Sequence, residues 1–189
     1  GFLWDAELAL QLGQRDDRDV VAGMATAGIG RRLPNLWATP TMWLYYDYAS
    51  GDSNPNSSTS NTFNQLFPFG HYYMGWIDLV GRQNIHDLNA HIYFYPSPWI
   101  TMFVQYHRFW LDQPTDALYN VDGAVSRRDP TGQAGTNVGD ELDFVANFHL
   151  ARYTDLMVGY SRLFGGSFLR NTGEPRDSEL FHLTFQQKW

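Results

Sequence analysis

Four histidines, His91, His107, His149 and His182, fall at positions of one parity within alternating segments, and they form the densest set of chemistry-bearing side chains in the chain. Clustered imidazoles can ligate a metal or titrate near neutral pH. The turn at Pro96–Pro98 joins two of these segments, setting His91 roughly opposite Gln105 or Phe103 and His107 roughly opposite Asp87 or Asn89. His91 and His107 are then too far apart along the strands to share one ion, and a cross-strand hydrogen bond between His107 and Asp87 is the better expectation. Ser161 shares this parity at mid-segment, and Asp143 and His182 could flank it. A nucleophile needs a base within reach and a third group to orient that base. No lipase- or protease-like motif surrounds Ser161, so the expectation is no enzyme, no metal and no cofactor. Ser50 to Asn56 collects oxygen donors but lacks the spacing and closing Glu of an EF-hand loop. Asn, Asp and Gly bonding their own backbone account for the same residues as turn chemistry.

Positioning these side chains requires strands, and the chain alternates with period two in about eight places. The last is the plainest: Phe181, Leu183, Phe185 and Trp189 alternate with His182, Thr184, Gln186 and Lys188. Earlier segments run from about Leu3 to Gly13, Val20 to Arg31, Thr41 to Ala49, Ile85 to Tyr95 and Ile100 to Leu111, followed by those around Phe144 and Val158. Each is about 9 to 11 residues, the length a tilted strand needs to cross a bilayer. The second segment is rich in Gly and Ala and its facing is ambiguous; such residues mark a bend or a close backbone approach.

The connections also alternate. Tyr95 to Trp99 and Ala151 to Thr154 are tight, whereas 50–84, 112–140 and 165–178 are long and polar. Transmembrane barrels have short periplasmic turns and long extracellular loops. The expected fold is therefore all-β: an antiparallel up-and-down transmembrane β-barrel forming a single domain over 1–189, with those three connections outside. An amphipathic strand packed on a soluble core has the same period, but gives no reason for length and sidedness to agree.

Composition leans the same way. Charged residues are 17% and aromatics 16%, against roughly 25% charged in soluble domains. No apolar run is long enough for a transmembrane helix. Cysteine is absent and the net charge is −7, which argues against nucleic acid as a partner. Gly1 to Asp5 lacks the basic start and apolar core of a signal peptide, so the chain is expected to be mature or truncated. Trp37, Trp99 and Trp189 on the periplasmic side, with Tyr46, Tyr48, Tyr106, Trp110 and Tyr160 toward the outside, would supply aromatic girdles. Arg108 and Arg162 share the outward parity and are candidates to contact lipopolysaccharide phosphates. The dense aromatic stretch Phe63 to Trp76 leaves three uses open: a lid over the lumen mouth, stacking on sugar rings, or packing against another subunit.

Several motifs recur in one order: Tyr46-Asp47-Tyr48-Ala49-Ser50-Gly51-Asp52, Phe63-Asn64-Gln65-Leu66-Phe67-Pro68 and His71-Tyr72-Tyr73-Met74-Gly75-Trp76-Ile77-Asp78. Tyr106-His107-Arg108-Phe109, Val138 to Asp143 and Gly159-Tyr160-Ser161 follow. Together they resemble the C-terminal portion of the alginate export family of outer-membrane porins, over essentially the whole chain. The resemblance implies a bacterial outer-membrane location in a Gram-negative cell, a barrel of more strands than are counted here, and passive passage or export of anionic polysaccharide or other saccharides. The implied partners are membrane lipid, lipopolysaccharide and neighbouring subunits.

Inward parity assigns the lumen lining to Asp5, Glu7, Gln11, Tyr45, Asp47, Asp87, Asn89, His91, Gln105, His107, Asp143, Asn147, His149, His182 and Lys188. Arg31, Arg32, Arg82, Arg127 and Arg128 would flank the pathway from the strand ends and loops. An acidic lining repels a polyuronate, so the residues depart from the family expectation. A small filled barrel with a structural or partner-binding role is the rival reading, because eight strands leave an interior that side chains can fill.

Overall fold

Runs of Val, Ile, Tyr, Phe and Leu alternating with polar residues favour a pleated, half-buried surface, and the computed structural model is built almost wholly from such strands. It describes residues 1–188; Trp189, expected in the periplasmic girdle, lies outside the described residues. In chain order the elements are β1 (Phe2–Arg15), β2 (Arg18–Arg32), β3 (Thr41–Ala49), β4 (Thr59–Ser60), β5 (Ile85–Ser97) and β6 (Ile100–Leu111). There follow β7 (Ala117–Tyr119), β8 (Val125–Arg128), β9 (Asn137–Ala151), β10 (Thr154–Gly165), α1 (Ser167–Thr172) and β11 (Ser178–Gln187).

The eight long strands pair antiparallel in the order β1-β2-β3-β5-β6-β9-β10-β11, with β4 adding to β2 and β7 pairing with β8 apart from the main sheet. The all-β, up-and-down order matches the expectation, but closure does not. Among the described residues β1 and β11 each pair on one side only, so the sheet is open. Several strands outrun their expected length, with β2 and β9 reaching 15 residues each. Beyond the apolar band, pairing continues through Arg15↔Arg18 and Trp110↔Asn137, where alternation no longer marks it.

The two faces of the sheet are inverted relative to a soluble protein. Leu8 (73% exposed), Ile29 (66%) and Phe181 (69%) stand on the outer face, while Asp87, Gln105, His107, Glu141, Asp143 and Ser161 on the inner face are fully buried. Soluble monomers rarely expose apolar patches beyond a few hundred Å². The ambiguous facing of β2 is resolved by the same rule. Ala22, Met24, Gly28 and Gly30 lie inward, and Val21 and Ile29 outward.

The apolar core sits at the long-loop end. Ile85, Phe109, Leu111, Val138 and Leu163 from the sheet pack against Phe63, Met74, Val80, Leu118, Phe168 and Leu169 from the connections. Fully burying a side chain of this size contributes about 1.5–3 kcal/mol. The third connection, read as plain loop, contains α1, whose Phe168 and Leu169 are buried. A helix of six residues is too short to show a periodic signal in sequence. Asn84, fully buried, ties the first connection to the second: its Nδ2 donates to Gln113 O (3.0 Å) and Ala117 O (2.9 Å), and its Oδ1 accepts from Gln113 N (2.7 Å).

Candidate functional site

A belt of polar side chains crosses the middle of the inner face from β2 to β10. Thr26 Oγ1 donates to Asp47 Oδ1 (2.6 Å), which also accepts from Arg82 Nη2 (2.7 Å). Asn89 Nδ2 bridges Asp47 Oδ2 (3.2 Å) and Asp87 Oδ2 (2.7 Å). His107 Nδ1 lies 2.8 Å from that same Asp87 oxygen, and its Nε2 lies 4.0 Å from Asp143 Oδ2. The register pairs His91 with Gln105 and Asn89 with His107, so the expected cross-strand bond between His107 and Asp87 forms on the diagonal. Among the described residues no three His, Cys, Asp or Glu side chains converge as metal ligands.

The connection between β3 and β5 supplies what the sheet alone lacks. The sequence places it at the outer end with three uses open for its aromatic stretch, a lid over the lumen among them; in the structure it folds across the inner face from one edge strand to the other. Asn64 exchanges two hydrogen bonds with the Gln11 side chain of β1, its N donating to Oε1 (2.8 Å) and its O accepting from Nε2 (2.5 Å). At the far side the Trp76 indole stacks on His182 of β11, with centroids 4.8 Å apart and planes 7° apart. Trp76 Nε1 donates to Gln105 Oε1 (3.1 Å), and Ile77 N donates to Glu141 Oε1 (3.0 Å). Gly75, at φ +83°, passes so close to the Glu141 carboxylate that a Cβ there would collide with it. Buried polar groups without partners cost free energy; these bonds satisfy several of the inner-face groups.

Arg82 is a correction of place. Its guanidinium is not at the rim but buried on the belt, bound to Asp47 and 3.8 Å from Glu7, with the Tyr73 ring 5.4 Å away. A buried arginine beside a carboxylate avoids the desolvation cost of a lone charge. Arg31 is a second correction. It pairs with Phe2 on the outer face and lies over that ring at 5.1 Å, so it does not flank the inner path. Arg32 has the inward parity and is exposed. Arg127 donates to Pro175 O (2.6 Å), and Arg128 lies 3.6 Å from Asp116, both on the β8 rim.

The remaining expected lining residues divide by depth. Asp5 and Glu7 on β1 are exposed, and Tyr45 is half-buried. Asn147 is half-buried, and His149 is exposed near the tight-turn end, bridging Thr101 Oγ1 (3.0 Å) and Asp155 Oδ1 (2.6 Å). Lys188 is exposed beyond the end of β11. Ser161 faces Asp143 in register, but His182 lies opposite Gly159, with its ring against Trp76. Asp52, one of the oxygen donors weighed for calcium, is held by Arg18 at 2.6 Å.

On the β1–β5 flank the inner face stays open around a cavity of about 260 Å³, lined by Asp5, Glu7, Thr26, Tyr45, Asp47, Tyr72, Tyr73, Arg82, Asn89 and His91. Three carboxylates face one arginine there. Of these residues Thr26 and the inward place of Arg82 are not legible in the sequence, whereas Tyr72 and Tyr73 belong to the aromatic stretch for which a lid over the lumen mouth and stacking on sugar rings are open uses. Phe63, Met74, Trp76 and Val80, the buried apolar residues of this connection, are the sequence signal that it turns inward. On the outer face Arg108 lies 3.7 Å from Asp140 and Arg162 3.0 Å from Glu179, so both guanidinium groups already have a carboxylate beside them.

The alginate export family model matches residues 1–182, nearly the whole chain. No curated protein matches it.

Proposed function

The chain belongs to the alginate export family, and from that premise we propose that its eight long strands are part of the wall of an outer-membrane β-barrel that passes saccharides or other solutes without chemistry. The inverted burial carries this reading: an apolar outer face suits lipid and a polar inner face suits a wet lumen. Connectivity agrees with it, since the three long connections share one end of the sheet and the tight β5–β6 and β9–β10 turns the other; the tight β1–β2 turn falls with the long connections. Lipid is then the partner of the outer face, and lipopolysaccharide phosphates would compete with Asp140 and Glu179 for Arg108 and Arg162.

Two measurements test it. Planar-bilayer recording on the full-length protein should give steady ion current; a protein that inserts but never conducts would overturn solute passage. Phe185→Asp places a charge on the outer face near the periplasmic end and should destabilise the inserted state by about 1 to a few kcal/mol, depending on depth. Unchanged urea unfolding from lipid vesicles would mean that Phe185 does not face lipid. The connection packed across the inner face supports a second reading, a filled wall with a structural or partner-binding role. Absence of current would favour it.

A further inference from the structure

Two glycines of β2 sit directly opposite two aromatic residues of β3, with Gly28 paired to Tyr45 and Gly30 to Trp43. A Cβ on Gly28 would strike the Tyr45 ring, and one on Gly30 would strike the Trp43 indole. The rings therefore lie down on the backbone of the neighbouring strand instead of standing away from the sheet. They stack on each other with centroids 5.2 Å apart and planes 24° apart. Both glycines are buried beneath them, while both rings remain half-exposed on the inner side. Tyr72 and Tyr73 of the inward connection line the same cavity as Tyr45, with their own centroids 4.9 Å apart.

We propose that Trp43, Tyr45, Tyr72 and Tyr73 form an aromatic track on the inner wall that binds uncharged pyranose rings. This rests on the solute-passage reading above and names its substrate class. A sugar ring offers an apolar C–H face to an aromatic plane and hydroxyls around its edge. The track supplies rings for the first, and Asp5, Glu7, Asn89 and His91 beside it supply hydrogen-bonding groups for the second. Aromatic faces set among placed polar groups are what recognition of a small polar ligand uses. The local charge selects the class. Arg82 is bound to Asp47 and lies 3.8 Å from Glu7, so with Asp5 three carboxylates outnumber one guanidinium and the net negative charge repels the carboxylate of a uronate.

The test is interruption of ion current through the full-length protein by a linear glucose hexamer, with a mannuronate hexamer for comparison. The glucose hexamer should block reversibly, and Trp43→Leu should shorten its residence about tenfold, the loss of one good aromatic stack. Trp43→Phe should restore most of it. A purely structural role for the ring would change stability and leave residence time untouched. Should Trp43→Leu fail to insert, Tyr73→Leu, which lies outside the sheet, carries the same comparison. Equal residence in wild type and the leucine variants overturns the track, and stronger block by mannuronate overturns the uncharged class. No ion current in wild type overturns the transport reading beneath both.

Discussion

The inner face has two flanks built from the same alternating strands, and they are finished differently. From β5 to β10 it is sealed: Asp87, Gln105, His107, Glu141, Asp143 and Ser161 have no exposure, and Trp76 closes over them from the inward connection. From β1 to β3 it is open: Asp5 and Glu7 are exposed, and the aromatic rings lie flat over glycines. Sealed polar groups depend on the partners they have, because each orphaned group costs about 1–3 kcal/mol. Leaving them wet makes no such demand. Stability should therefore be concentrated in one flank and solute contact in the other.

The largest effect expected from this division is at Asp87. Asp87→Ala strips a partner from both His107 and Asn89 in a fully buried place and should cost about 3–5 kcal/mol in urea unfolding from lipid vesicles. Trp76→Ala removes the stack on His182 and the bond to Gln105, and should cost about 3 kcal/mol. It should also raise single-channel current, because the connection loses its hold on the sealed flank; unchanged current would mean that this segment does not obstruct the path. On the open flank Glu7→Gln should shift unfolding by no more than about 0.5 kcal/mol while moving ion selectivity toward anions in reversal-potential measurements. A destabilisation as large as that of Asp87→Ala would erase the contrast between the flanks.

The smallest effect concerns pH at the loop base. Burial pushes the Asp112 carboxyl up, but the His86 side chain and the Gly51 amide more than offset this and hold it below the ordinary range. A depressed carboxyl stabilises the fold above its unfolded value, and that contribution is lost as pH falls through the lower folded value. Protease cleavage within 112–136 should accordingly rise in acid, and Asp112→Asn should flatten that rise. Cleavage independent of pH in wild type would remove Asp112 from the account.

What the sequence disclosed follows from period. In β5, β6, β9 and β11 the parity of alternating residues is readable, and the tight turn narrows the partner of His91 to Gln105 or Phe103, of which the structure takes Gln105. Facing in β2 was not readable, since glycine carries no polarity; it became legible only once Tyr45 and Trp43 were seen to cover Gly28 and Gly30. The inward course of the connection stays one use among three in the sequence for a related reason. Its turn chemistry looks the same whether it faces water outside or polar groups inside, and the partners of Trp76 and Arg82 come from strands far away in sequence. Arg31 stands at a strand end, where parity still governs its side chain and turns it to the outer face.

The segment between Asn64 and Trp76 holds Gln11 at one edge of the sheet and His182 at the other. A chain of twelve links cannot reach beyond about 40 Å even when fully drawn out, so it sets a ceiling on how far the two edges can part. Like a tie rod across a vault, it lets the arch be completed by more masonry but never flattened.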